Sequence, residues 1–232
     1  MTFPQTFRLL TVFRTPLTIL SSSLGILKSS LKEIQDGQPL ARIFNMATSA
    51  QLRLYHRFED ILDLDNYKTG DLSFVSREFS LHDAIAEARK AVRHDIKNNV
   101  TFINSVPEDL KVMQDKKIVT QIFAKVIENS IKLTVEGKIS VDSTITESGF
   151  STSIKDTGPG IPPEMQDRVG KSFQTGDKLF YHKEGMGLGL AITFQAVKFL
   201  KGAIKIESET EGDNHGTLIK IDIPDTAKRD AS

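Results

Sequence analysis

Apolar residues recur every seven positions from Phe3 to Ile34. One seam runs through Phe3, Leu10, Leu17, Leu24 and Leu31, and the other through Phe13, Leu20, Leu27 and Ile34. That spacing predicts a long helix whose apolar edge needs partners. Asp36-Gly37-Gln38-Pro39 ends it, because glycine and proline break helices and start turns. A second periodic stretch carries Leu40, Ile43, Ala47, Ala50, Leu54, Ile61 and Leu64, with Arg57 interrupting one seam. Two helices joined by a short loop make an antiparallel hairpin, which cannot bury both seams alone. Two copies pairing into a four-helix bundle would cover them. The competing arrangement is a hairpin packed against the rest of its own chain.

Past the polar stretch Tyr67–Val75, which contains Gly70 and reads as a linker, the heptads give way to alternating strand and helix signals. The pattern predicts a short amphipathic helix over Leu81–Val92 and a strand over Val100–Val106, ending at Pro107. Asp115 is the expected N-cap of a helix that continues to Leu133, its side-chain oxygen serving the free N–H groups of the first turn. Lys138–Ile145 and Phe150–Ile154 alternate as antiparallel strands around Glu147-Ser148-Gly149. Ala203–Glu207 and Thr217–Ile223 form a last hairpin, and the polar end of the chain, 226–232, is expected to fray. Elements in this order predict an α+β class chain: an N-terminal helical hairpin over 1–66, a linker over 67–75, and an α/β sandwich over 76–225 with helices on one face of a sheet.

Composition narrows the function classes. Lys plus Arg and Asp plus Glu are 30 each, so the net charge is zero and nothing points to nucleic acid or an anionic membrane surface. With no cysteine, disulfides and thiolate metal sites are excluded. No apolar run approaches the roughly 20 residues that cross a bilayer, and Arg8 and Arg14 interrupt the apolar N-terminus, so no signal peptide is expected. The expectation is a soluble, cytoplasmic protein without a direct membrane span.

The chemistry concentrates between Ile154 and Leu190. Asp156-Thr157-Gly158-Pro159-Gly160 sets a carboxylate at a strand end, followed by two glycines that let backbone approach a flat ligand. This suits the exocyclic amine of adenine. Gly185-Met186-Gly187-Leu188-Gly189-Leu190 then opens an apolar helix, whose first N–H groups would face an anion such as a phosphate. Between the two runs, Thr157–Glu184 is expected to be a lid. Pro162-Pro163-Glu164 starts a short helix in it, and Lys171, Lys178, His182 and Lys183 make it basic.

Together these stretches resemble the sensor histidine kinases of two-component systems. Asp156–Gly160 is similar to that family's G1 box and Gly185–Leu190 to its G2 box. Gln121–Thr134 (QIFAKVIENSIKLT) is similar to its N box, and Glu207–Pro224, with Gly216-Thr217, to its closing hairpin. Phe173 matches the last aromatic of the F box, Gly170 standing where the other is usual. Phe13-Arg14-Thr15-Pro16-Leu17 matches the surroundings of the H box. The resemblance implies a dimerising hairpin followed by a GHKL-type ATP-binding domain, with ATP and Mg2+ as cofactors. Asn129 would supply an oxygen to Mg2+ and Lys132 would pair with a phosphate. Asp156, Gly158, Gly160, Phe173, Gly185, Gly187, Leu188, Gly189 and Thr217 would line the nucleotide. The implied partners are a second copy of the chain and a response regulator receiver domain or partner kinase.

Further positions depart from the family. The phosphoacceptor histidine, three residues before the Arg-Thr-Pro-Leu block, is Thr11 here, and the acidic residue after it is Val12. An alcohol is nearly fully protonated at neutral pH and needs a neighbouring base to act as a nucleophile, which neither Val12 nor Phe13 supplies. Thr15 holds the position that helps orient water for phosphatase work, without its acidic partner. Lys125 stands where the superfamily's ATPases and serine-directed kinases carry a basic-acting glutamate. Two readings follow: a histidine-kinase-like signalling protein of a phosphorelay, or a pseudokinase that binds ATP and regulates another kinase or response regulator.

Overall fold

The structure, a computed structural model, describes residues 18–27, 38–92, 99–166, 169, 188–212 and 215–229. It divides into two compact units, Met1–Thr69 and Gly70–Ser232.

In the first unit, residues 18–27 form helix α1 and Gln38–Thr69 form helix α2. Within α1, Leu24 is half-buried while Ile19, Leu20, Ile26 and Leu27 are exposed. On α2, Ile43, Met46, Leu52 and Leu54 are exposed too, so much of the apolar surface predicted by the heptads is uncovered on a single chain. Helix α2 runs to Thr69, three residues into the stretch read as linker. Tyr67 is buried, and Thr69 Oγ1 donates back to Asp65 O at 3.0 Å, which closes the last turn on a polar sequence that carries no helix-breaking residue before Gly70.

The second unit follows the predicted alternation. Its elements are β1 (Arg77–Ser80), α3 (Leu81–Ala91), β2 (Val100–Asn104), β3 (Lys111–Gln114), α4 (Lys116–Leu133), β4 (Gly137–Ile145), β5 (Gly149–Asp156), α5 (Pro163–Gln166), α6 (Gly189–Phe199), β6 (Ala203–Glu209), β7 (Gly216–Pro224) and α7 (Thr226–Arg229). A five-stranded sheet has the order β2-β4-β5-β7-β6, with β2 parallel to β4 and the other pairs antiparallel. Strands β4 and β7 alternate between buried and exposed positions, as a sheet covered on one face requires. The covering layer is α3, α4 and α6. Helix α4 buries Ile122, Phe123, Val126 and Ile127 completely or nearly so, and each such side chain removed from water contributes about 1.5–3 kcal/mol.

Helix α4 starts where the sequence predicts. Asp115 Oδ1 accepts from Ile118 N at 3.1 Å, and its other oxygen accepts from Val75 N at 2.8 Å, so one carboxylate both caps the helix and anchors the incoming chain. Two short strands, β1 and β3, pair antiparallel in a second sheet that the sequence does not announce. The end of the chain holds it. Asp225 Oδ2 accepts from Met113 N at 3.1 Å, Gln114 Nε2 donates to Pro224 O at 2.8 Å, and Thr226 Oγ1 donates to Met113 O at 2.9 Å. The segment expected to fray therefore begins with a helical turn, α7, seated on these bonds. Among the described residues no helix is long and apolar enough to cross a membrane.

Candidate functional site

Asp156 ends β5 directly opposite Thr217 on β7, and that register fixes the carboxylate. Its Oδ1 accepts from Thr217 N at 3.2 Å and from Gly158 N at 3.0 Å, while Oδ2 accepts from Ser130 Oγ at 2.9 Å, reaching across from α4. Burial pushes its pKa above the ordinary carboxylate value, and the bonds from Gly158, Ser130 and Thr217 pull the other way. Asp156 is therefore an anchored acceptor at the edge of the core.

The turn after Asp156 is fastened on both sides. Thr157 N donates to Lys138 O at 3.1 Å and Thr157 Oγ1 accepts from Lys138 N at 3.0 Å, which ties it to β4. Gly160 has φ +71, and a Cβ there would overlap Glu209 O, so the turn lies directly against the end of β6. Ser208 Oγ accepts from Ile161 N at 2.8 Å and donates to Gly216 O at 2.8 Å, linking the turn to the β6–β7 hairpin. Gly158 has room for little else: a Cβ would lie 3.0 Å from Asp156 Oδ1 and 3.3 Å from Thr134 Oγ1. Helix α5 begins at Pro163 as the two prolines predict, with Met165 N donating to Pro162 O at 2.8 Å.

The described end of the second glycine run, Leu188-Gly189-Leu190, opens α6 beside α4. Leu188 is buried and sits at the N-cap of α6, without a side-chain hydrogen bond to the first turn. A Cβ on Gly189 would lie 3.3 Å from Asn129 Nδ2, so the amide of Asn129 stands beside the start of α6. Asn129 and Lys132 are both half-buried on α4, three residues apart and on a common face. Ser130, one residue on and about 100° around the helix, is turned instead to the sheet and Asp156. Hydrogen bonds thus join Asp156 to Ser130, Gly158 and Thr217, and Gly189 lies beside Asn129, while Lys132, Gly160 and Leu188 are placed by α4, the turn after β5 and the N-cap of α6. Phe173, Gly185 and Gly187 lie outside the described residues, as do Thr11 and Thr15.

For a divalent cation the fit is that of a ligand-borne ion. Among the described residues no group of three or more His, Asp or Glu side chains is placed to hold a metal. Magnesium keeps several waters and needs few protein ligands, so an amide oxygen from Asn129 beside bound phosphates is a compatible donor set.

Two side chains of this site are not singled out by the sequence. Ser130 looks like an ordinary polar residue in a helix; its partner, 26 positions away, appears only in the fold. His215 lies in a polar turn, and its Nδ1 bonds Gly158 O at 2.8 Å. A carbonyl can only accept, so Nδ1 carries the proton there. His82 is a satisfied structural histidine, its Nδ1 bonding Val106 O at 2.7 Å. His94 and His182 are outside the described residues.

Residues 114–227 match the model of the family described as histidine kinase-, DNA gyrase B- and HSP90-like ATPases. The chain is 25% identical over 222 residues to the sensor histidine kinase AtsR of Burkholderia thailandensis, covering 92% of this chain and 36% of AtsR. It is 30% identical over 216 residues to the sensor histidine kinase WalK of Bacillus subtilis, covering 91% of this chain and 34% of WalK. It spans about a third of the length of these two curated relatives. Among solved structures, full-length ShkA in complex with AMPPNP superposes with a TM-score of 0.78 at 19% identity, over 97% of this chain and 46% of that one, a likeness of fold. Histidine kinase ThkA in complex with the response regulator protein TrrA gives 0.62 at 25% identity, over 97% of this chain and 62% of ThkA. The anchored aspartate, the glycine-lined turn and the α4–α6 junction thus sit in a fold and a sequence of common descent, and the chain belongs to the sensor histidine kinase family, with a GHKL-type ATPase domain.

Proposed function

We propose that this chain binds Mg-ATP and serves in a two-component phosphorelay. The observation that carries the reading is Asp156, a buried carboxylate with three fixed donors, beside the Gly158–Gly160 turn and against α4, whose Asn129 stands next to Gly189 at the start of α6. Asp156 accepts from the exocyclic amine of adenine. Gly158 and Gly160 let the base approach the backbone, and Thr217 and Leu188 border it. Phosphates lie toward the N-terminus of α6, with Lys132 pairing one of them and Asn129 offering its amide oxygen to Mg2+. Phe173, Gly185 and Gly187 complete the lid and phosphate loop by their place in the motifs. When bound, the ATP supplies the transferable phosphoryl group. The chain's own residues hold the base, neutralise charge and exclude water.

A second reading, a pseudokinase, is favoured by Thr11 at the acceptor position with Val12 after it. In that case nucleotide binding persists while autophosphorylation is lost, and the chain regulates a partner kinase or a response regulator. Calorimetric titration with Mg-ADP tests binding, and incubation with γ-labelled ATP followed by acid or alkali tests transfer. Binding without label is the expected result, since a missing acceptor base alone costs about 10²–10⁴-fold. Acid-labile label would place a histidine acceptor elsewhere and overturn the pseudokinase reading. No nucleotide binding at millimolar concentration would overturn both.

A homodimer in the cytoplasm is the proposed assembly. The exposed Leu20, Ile26 and Leu27 on α1 and Ile43, Met46 and Leu54 on α2 support it, because a soluble protein rarely leaves such apolar surface uncovered. Light scattering should give twice the chain mass. A stable monomer at micromolar concentration would rule this out.

A further inference from the structure

The geometry points to Ser130 as a positioning residue that sets the selectivity of Asp156 for purines bearing a 6-amino group. The inference rests on the nucleotide reading above and goes beyond it. An ionised carboxylate has about four acceptor sites, two on each oxygen. Gly158 N and Thr217 N fill both on Oδ1, and Ser130 Oγ fills one on Oδ2. One site is left, and it can take one donor from a ligand.

Ser130 is 3% exposed and fixed by α4, so its hydroxyl proton has a set direction toward Oδ2. That bond holds the carboxylate rotation against the sheet and keeps the open site an acceptor. Remove the hydroxyl, and Oδ2 is left buried with two empty acceptor sites, of which an amine fills one. The carboxylate then gains freedom to rotate or to take up a proton, and a protonated oxygen no longer distinguishes an amine from its absence. Ser130 touches neither the base nor the phosphates in this arrangement. It acts through Asp156.

The test compares two ligands on the full chain. ADP and purine riboside 5′-diphosphate, which lacks the 6-amino group, are titrated calorimetrically into the wild type and Ser130→Ala. Ser130→Ala should weaken ADP by about tenfold, the effect of losing one hydrogen bond to a charged group. Its affinity for the amine-free diphosphate should stay within twofold, so the preference for ADP collapses. Ser130→Cys, which leaves no cavity but donates poorly, should behave in the same way and covers the case in which alanine leaves a packing defect. Equal weakening of both diphosphates, or of neither, would show that Ser130 is only packing and would overturn the inference while leaving the nucleotide reading in place. If the wild type binds neither diphosphate, the nucleotide reading fails, and the selectivity inference falls with it.

Discussion

Asp156→Asn should abolish adenine-nucleotide binding while leaving the protein as stable as the wild type or more so. The asparagine can present its oxygen to Gly158 N and Thr217 N and its amide to the oxygen of Ser130, so the three contacts of the carboxylate keep partners. What changes is the remaining site, which becomes a donor facing the amine of adenine. A site built to accept a hydrogen bond rejects a mismatched partner strongly, and a loss of at least about 100-fold in ADP affinity is expected. Stability moves the other way because the Asp156 pKa is raised by burial. The folded state takes up this proton more readily than the unfolded state, so the contribution is present below the unfolded value and is lost as pH rises through the folded one. At neutral pH the wild type bears the cost of a buried charge that the variant lacks. Thermal melting of the two proteins from pH 4 to 8, with ADP titrations alongside, checks both halves. ADP affinity of the wild type should itself decline on acidification at a pH above that of an ordinary carboxylate. A variant that binds ADP within threefold of the wild type, or one that melts well below it at neutral pH, would contradict the account.

The second large effect is expected at Gly216. Its φ is +133, which L side chains avoid, and a Cβ would overlap Asp156 O and come within 3.1 Å of Thr157 Cα. Gly216→Ala must therefore strain the backbone and push β7 from the end of β5 at the point where Thr217 N meets Asp156. Strain and overpacking of this kind cost about 1–3 kcal/mol each. In a domain of this size each 1 kcal/mol lowers the melting temperature by roughly 2–4 °C. A drop near 10 °C with a parallel loss of ADP binding is expected. Gly212→Ala separates the two terms, because Gly212 also has positive φ, +85, but no atom within 4 Å of its added Cβ. It should show the smaller strain cost alone, with nucleotide binding kept. Equal effects at the two glycines would mean that close packing against Asp156 matters little.

Much of this arrangement is legible from residue order, for local reasons. Asp115 announces the start of α4 because capping is a property of neighbouring residues, and Glu147-Ser148-Gly149 announces the β4–β5 turn for the same reason. Asp156 and the glycines after it stand together in sequence, so their approach to a ligand can be anticipated. Strands β1 and β3 cannot be read this way. Each has four residues, and their pairing joins Phe79 to Val112 across a helix and another strand. Ser130 and His215 escape for a related reason: each gains its role from a partner on another element, at separations of 26 and 57 residues. The end of α2 is missed because a polar run with no breaker has no local signal for stopping before Gly70.

The bonds from Asp225 and Gln114 have a consequence for the order in which the domain can be assembled on the ribosome. Strand β3 emerges early, yet Met113 N and Gln114 Nε2 find their acceptors at Asp225 and Pro224, 112 and 110 residues later. Asp156 likewise waits for Thr217, 61 residues downstream. Helix α4 can form as it appears, since its contacts along the helix are local, but the small sheet and the surroundings of Asp156 are completed only by the last strand. Vectorial synthesis therefore yields a partly ordered chain until β7 is released, and such non-local closure makes folding slow and exposes unpaired strand edges meanwhile. The final residues of the domain act as the latch of its folding.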